Sequence, residues 1–370
     1  MGRCSICNSK SPLISDSIGV CAKCIREKSN EALEIIGRVR KATREVFSLP
    51  AEVPKDPNGL KCGICGNECI IGVGMKGFCG LTYNINGKLV RLGGNPDNGV
   101  LEWYYDPLPT NCVAWWFCPG CTGTGYPKYA YKPTAETGYV NLAVFYGSCS
   151  LDCLFCQNWH YRNLSKKLNP YMSSEELASK VNSRVSCICF FGGDPSTQMP
   201  HAIKTSEIAM EKAKEERRIL RICWETNGNM SREYALKAAE LSFKTGGVVK
   251  FDLKAWNENI YRALCGVSNK PSFENFKTIG EKYFKERSEV PVLTASTLLI
   301  PGYIDTIEIE NIAKFIAEID PNIPYTLLAF YPQYVMDDLP TTSRKQAYEC
   351  YETAKKYLKN VRIGNVHLLS

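Results

Sequence analysis

The sequence is poor in histidine, with three residues in 370, so imidazole-based acid–base or metal chemistry has few candidates. No run approaches the roughly 18 apolar residues of a membrane-crossing helix, and no membrane partner is expected. The opening "MGRCSICNSK" lacks an apolar core behind its initial charge; it does not read as a signal peptide, and the cytoplasm is the expected compartment. Like charges never gather in blocks of five or six, and the net charge of +7 is mild, so nucleic acid is not expected either. The richest cationic stretch, "GRVRKATREVF" at 37–47, has amphipathic spacing and is expected to be a solvated helix face. A glycine-rich phosphate loop after the first strand is also missing, which argues against a dinucleotide-binding sheet.

Cysteine is the opposite case. There are nineteen, and fourteen precede Gln157. Without an export signal, such pairs read as metal ligands before disulfides. Cys4, Cys7, Cys21 and Cys24 form Cys-x2-Cys-x13-Cys-x2-Cys, a four-thiolate signature for zinc or a single iron. Cys62, Cys65, Cys69 and Cys79 lie among glycine-rich turns that let thiolates converge on an auxiliary cluster or zinc. Cys112, Cys118 and Cys121, in "NCVAWWFCPGC", read as a further auxiliary cluster or as core thiols. Cys187, Cys189, Cys223 and Cys350 fall in strand or helix patterns and are expected to pack. Cys265 follows a short helix and is kept as a functional candidate.

Where the cysteines thin out, the pattern becomes regular. Apolar strand-like runs at 139–147, 185–191, 219–225, 246–252, 290–300 and 325–331 alternate with helical stretches, one opened by a Ser173–Glu176 capping box. Such alternation predicts a parallel sheet with helices outside, and six units predict an α/β fold of the partial (β/α)6 barrel type. The expected organisation is a four-Cys metal ribbon at 1–28, a linker helix at 29–50, a Cys-rich irregular metal region at 51–138 and the barrel at 139–370. In barrels, chemistry gathers at the C-terminal strand ends.

Cys149, Cys153 and Cys156 sit there, in "CSLDCLFC" directly behind the first strand. A structural zinc site takes four protein ligands. Three thiolates suit a 4Fe–4S cluster with one iron left open. Cys-x3-Cys-x2-Cys, with the aromatic Phe155 before its last cysteine, resembles the signature of radical S-adenosylmethionine enzymes. The later motifs extend the resemblance in order: Gly192, Gly193 and Asp194 in "FFGGD", Glu225 and Asn227 in "ETNG", Asp252 and Lys254 in "DLKAW", then "LLIPGY", "FYPQYVMDDLPTT" and "RIGNV". Asp194 departs from the usual glutamate. The likeness is to the branch containing pyruvate formate-lyase activase, with a Cys-rich N-terminal extension.

The resemblance implies that Phe155, Gly192, Gly193, Asp194, Glu225, Asn227, Asp252 and Lys254 line an S-adenosylmethionine site. It also implies one-electron cleavage of the sulfonium to a 5′-deoxyadenosyl radical, with ferredoxin or flavodoxin as electron donor. The expected substrate is a protein or peptide. The layout most resembles cobalamin-dependent C-methyltransferases linked to methanogenesis, acting on glutamine of methyl-coenzyme M reductase, although no Asp-x-His-x-x-Gly cobalamin motif is present. Two alternatives stay open: a glycyl-radical activase, and an electron-transfer protein whose clusters never cleave the cofactor. His160, behind the cluster loop, is a substrate-contact candidate, and His201, opening a helix, is expected to be exposed.

Overall fold

The computed structural model describes residues 1–287 and 289–370. Two helices, α1 (Ala22–Glu27) and α2 (Ser29–Glu45), follow the N-terminal ribbon. A nine-stranded sheet then organises the rest. Its members are β1 (Gly99–Pro107), β2 (Val140–Tyr146), β3 (Val185–Gly192), β4 (Arg221–Thr226), β5 (Val249–Asp252), β6 (Leu293–Leu299), β7 (Tyr325–Ala329), β8 (Val361–Gly364) and the two-residue Tyr171–Met172. Neighbours follow chain order from β1 to β8, with Tyr171–Met172 outside β1. β2 to β8 run parallel. β1 pairs antiparallel with β2, from Leu101↔Tyr146 to Pro107↔Val140.

The helices α3 (Tyr161–Lys167), α4 (Ser174–Ser179), α5 (Met199–Glu215), α6 (Arg232–Thr245), α7 (Glu258–Cys265), α8 (Lys270–Ile279), α9 (Thr306–Ile319) and α10 (Arg344–Lys355) connect the parallel strands. All seven residues of β2 are buried, as a strand covered on both faces requires. The Ser173–Glu176 capping box forms as expected. The six strand-like runs all become strands. Two elements escape the sequence pattern: β8, four residues and half exposed at a sheet edge, and β1, whose "EWYYD" is mostly exposed and lacks clean alternation.

His201 is fully buried rather than exposed. Its Nδ1 lies 2.8 Å from the Tyr146 hydroxyl and its Nε2 2.9 Å from the Met172 carbonyl. Burial lowers its pKa to about 4, so the ring is neutral in the fold. The unfolded chain takes up that proton first as pH falls, so this contribution is full above about 6.5 and disappears towards 4. At 1.36 kcal/mol per pKa unit, the loss amounts to roughly 3 kcal/mol. Urea unfolding at about pH 7 and pH 4.5 is expected to show that excess acid loss in the wild type and not in His201→Gln. Equal losses in both proteins would remove His201 as the cause.

Candidate functional site

At the C-terminal strand ends lies a cavity of about 170 Å³ lined by Cys149, Cys153 and Cys156. Every residue expected to contact S-adenosylmethionine lines the same cavity: Phe155, Gly192, Gly193, Asp194, Glu225, Asn227, Asp252 and Lys254. They come from a loop after β2 and from the ends of β3, β4 and β5, so only the folded sheet gathers them.

The Gly-Gly-Asp turn crosses the end of β2 at backbone contact. Gly193 N–H donates to the Tyr146 carbonyl at 2.8 Å and Asp194 N–H to the Ser148 carbonyl at 2.7 Å. Gly192 has φ +110°, and a Cβ there would meet the Tyr146 nitrogen at 2.5 Å; one on Gly193 would meet the Ser148 oxygen at 2.3 Å. No side chain fits at either position. The Asp194 carboxylate turns inward and accepts from Ser196 N–H at 2.7 Å, the Thr226 hydroxyl at 3.0 Å and Asn227 N–H at 2.6 Å. It ties the end of β3 to the end of β4. Burial raises its pKa to about 6 against these donors.

The donor set fits a thiolate-bound cluster. The Cys149 sulfur accepts from Leu151 N–H at 3.4 Å and from Asn227 Nδ2 at 3.5 Å, contacts that stabilise negative charge on sulfur. Burial raises the Cys149 thiol well above its ordinary range; a metal bound there would have to displace that proton. Lys254 pairs with Asp252 at 2.7 Å; although burial opposes its charge, that carboxylate and Cys153 hold it protonated. Lys250 pairs with Glu225 at 3.1 Å and, with Ser296 and Leu298, lines the cavity. The sequence reading missed Lys250, although a lysine inside the apolar run "GGVVKFD" is costly unless paired. His160 stacks on Phe145 with centroids 4.6 Å apart and is absent from the cavity lining.

The helix face at 37–47 departs from its expected solvation. Arg40 and Arg44, one turn apart on α2, are buried and reach Asp152 inside the cluster loop at 2.8 and 3.1 Å; Arg162 of α3 reaches it at 2.7 Å. Tyr334, from "FYPQYVMDDLPTT", lies 4.4 Å from Arg162, and Leu154 O accepts from the backbone of Val335 and Met336. This motif braces the loop. Cys265 is buried beside Cys153, and this neighbour lowers the Cys153 thiol.

Outside the cavity, the sulfurs of Cys4, Cys7, Cys21 and Cys24 all lie within 4.8 Å of one another. Bonds of about 2.3 Å in a tetrahedron set S···S near 3.8 Å, the separation found between Cys7 and Cys21, 3.8 Å. This quartet therefore suits one metal ion. The ribbon docks through Tyr303 of "LLIPGY", whose hydroxyl donates to Val20 O at 2.9 Å, and through Asp338, which accepts from Asp16 N–H at 2.6 Å. Cys62, Cys65, Cys69 and Cys79 surround a second small cavity. That segment is clamped to the site: Asn67 Nδ2 donates to Ser150 O at 2.6 Å and the Ser148 hydroxyl to Cys79 O at 3.1 Å. Cys112, Cys118 and Cys121 line a third cavity. Of the cysteines expected to pack, Cys187 does so against Leu108 and Cys121, and Cys350 in the main core; Cys187, Cys189 and Cys223 also line this third cavity. Among the described residues no helix is long and apolar enough to cross a membrane.

Residues 143–316, from β2 into α9, match the model of the radical SAM superfamily. An uncharacterized protein of Methanocaldococcus jannaschii is 29% identical over 322 residues, 84% of this chain and 83% of that protein. A second protein of that organism, whose name proposes a glycyl-radical enzyme activating enzyme, is 28% identical over 218 residues, 58% of this chain and 76% of its own length. A domain of the pyruvate-formate lyase-activating enzyme from Bacteroides vulgatus overlaps 48% of this chain and 98% of its own, at 20% identity and TM-score 0.37. Streptococcus suis SuiB bound to its precursor peptide SuiA overlaps 60% of this chain and 47% of its own, at 14% identity and TM-score 0.44.

Proposed function

We propose that the chain is a radical SAM enzyme that cleaves S-adenosylmethionine reductively and uses the radical to modify a residue of a protein or peptide. One observation carries this reading: three thiols, the Gly-Gly-Asp turn and the Glu225, Asn227, Asp252 and Lys254 side chains share one cavity. On this reading Cys149, Cys153 and Cys156 hold a 4Fe–4S cluster at the mouth of a partial barrel. Bound there, such a cluster would supply the one electron needed to split the sulfonium into methionine and a 5′-deoxyadenosyl radical. The backbone of Gly192 and Gly193 offers polar groups to the methionine end of the cofactor. Glu225, Asn227, Asp252 and Lys254 orient the remainder, and the apolar Phe155, Leu298 and Leu328 keep water from the reacting centre. An electron carrier of the ferredoxin or flavodoxin type serves as reductant.

For the subsequent step we favour cobalamin-dependent C-methylation. The supporting feature is the N-terminal metal-binding build, which exceeds what hydrogen abstraction from glycine requires. Glutamine of methyl-coenzyme M reductase is the narrow form of that reading and rests on layout alone. Glycine activation is the second reading, favoured by the name of the 28% identical relative. The N-terminal ribbon, the linker helix and the 51–138 region act on this view as metal-stapled walls of the site.

An anaerobic assay decides between them. Protein with titrated iron, sulfide and cobalamin is given reductant and S-adenosylmethionine, and 5′-deoxyadenosine and S-adenosylhomocysteine are quantified together. Both products, with bound cobalamin, support methylation. 5′-Deoxyadenosine alone, without cobalamin affinity, supports activation. Production of neither by reduced, iron-loaded protein would leave electron transfer and overturn the enzyme reading.

A further inference from the structure

We infer that a further iron–sulfur cluster is housed inside the sheet, held by thiolates from both Cys112, Cys118 and Cys121 of one loop and Cys187, Cys189 and Cys223 of β3 and β4. This site does not depend on the cofactor chemistry proposed above.

Six sulfurs line a single cavity of about 40 Å³ with Thr110, Asn141, Arg221 and Lys250. Alternation along β3 puts Cys187 and Cys189 on one face. The parallel register sets Cys189 beside Cys223 of β4 and Cys187 beside Arg221. The loop over this face presents Cys118 at the N-terminus of a four-residue helix, Pro119–Thr122, with Cys121 within it. All six cysteines are unbridged. Protein interiors are packed to crystal density, and a core built for packing fills such a space with branched side chains. Six thiols around a void leave room for something that binds thiolate.

The polar groups agree. Lys250 Nζ donates to the Cys189 sulfur at 3.1 Å while paired with Glu225. A cation aimed at sulfur would stabilise a thiolate at that position. The buried Arg221 is matched by Glu136 at 2.6 Å, so Lys250 and Arg221 enter the site already compensated. Sulfur spacing selects the occupant. Among the described residues, Cys4, Cys7, Cys21 and Cys24 are the one group whose ligand atoms all lie within 4.8 Å. The six thiols here spread wider than one tetrahedral ion of thiolate ligands accepts, and wider spacing with all-sulfur donors suits a polynuclear iron–sulfur cluster. Lys250 lines both this cavity and the one beside Cys149, and Val113, between Cys112 and Ala114, reaches the latter. The inferred cluster thus forms the floor of the reaction cavity.

The test starts from the full chain carrying Cys149→Ala, Cys153→Ala and Cys156→Ala, reconstituted anaerobically with ferrous iron and sulfide. Adding Cys187→Ala, Cys189→Ala and Cys223→Ala is expected to remove one cluster's iron and acid-labile sulfide per chain. Cys112→Ser, Cys118→Ser and Cys121→Ser should remove the same amount, and all six together no more, because both sets hold one cluster. If the strand variant is folded by circular dichroism and keeps its full iron and sulfide, the shared site is wrong. Should that variant fail to fold, iron-edge anomalous scattering from crystals of the reconstituted wild type gives the answer. An iron peak within this cavity supports the site, and its absence there, with iron present elsewhere, overturns it.

Discussion

Replacing Cys149, Cys153 and Cys156 together by alanine is expected to abolish cleavage of S-adenosylmethionine, cutting 5′-deoxyadenosine formation by more than about a thousandfold. Each single substitution should cost nearly as much, because groups that act as one unit lose their function together. The structure sharpens the control. The Cys4, Cys7, Cys21 and Cys24 sulfurs lie in a ribbon fastened at Tyr303 and Asp338, outside the cavity lining. The triple variant should therefore keep one tightly bound metal per chain at that quartet while losing cleavage. Retained cleavage would sink the assignment of these three thiols; loss of the quartet's metal would mean that the variant had unfolded more widely. Anaerobic product analysis beside elemental analysis of the same sample separates the two cases.

The cavity residues were legible because each motif falls where an apolar run stops, and a strand end in a parallel sheet is where side chains become free to meet a ligand. Spacing within one loop is also readable, as with the two knuckles whose sulfurs converge. What stayed hidden involves partners far apart in the chain. Cys187 and Cys189 alternate with Ile188 and Phe190 just as apolar residues would, and nothing local ties them to a loop some seventy residues upstream. Arg40 and Arg44 looked solvated because charge at helical spacing usually is. Their partner sits in the middle of "CSLDCLFC", where the cysteines draw attention from Asp152. His201 followed a proline at the head of α5, a position that commonly faces water. Here β1 and the Tyr171–Met172 strand cover it, and β1 itself lacked an alternating pattern.

The other large effect belongs to Asp152. Its carboxylate is fully buried and meets three guanidinium groups, Arg40, Arg44 and Arg162, none more than 7% exposed. Burial works against the charge, yet the three arginines hold the Asp152 pKa well below the usual carboxylate range, so its contribution is complete above about pH 4 and is lost only in stronger acid. The arginines are also anchored elsewhere: Arg40 donates to Ala263 O at 2.8 Å, Arg44 donates to Phe78 O at 2.6 Å and Arg162 donates to Trp159 O at 3.5 Å. They cannot swing to water when the anion goes. Asp152→Asn, close to isosteric, should therefore leave three like charges buried together and destabilise the chain by about 3–5 kcal/mol, measured as a drop in urea midpoint with unchanged slope. A plain packing role predicts a far smaller change. The sign of a second substitution settles the matter: Arg44→Met alone is expected to destabilise, but in the Asp152→Asn background it removes an uncompensated cation and should recover stability. Additive losses in that cycle would refute the electrostatic account. Because Asp152 stands between Cys149 and Cys153, the same variant should also load less iron at the cluster loop. That joins α2, in the 29–50 stretch expected to be a linker, to the cluster loop as a buried clamp on the thiols.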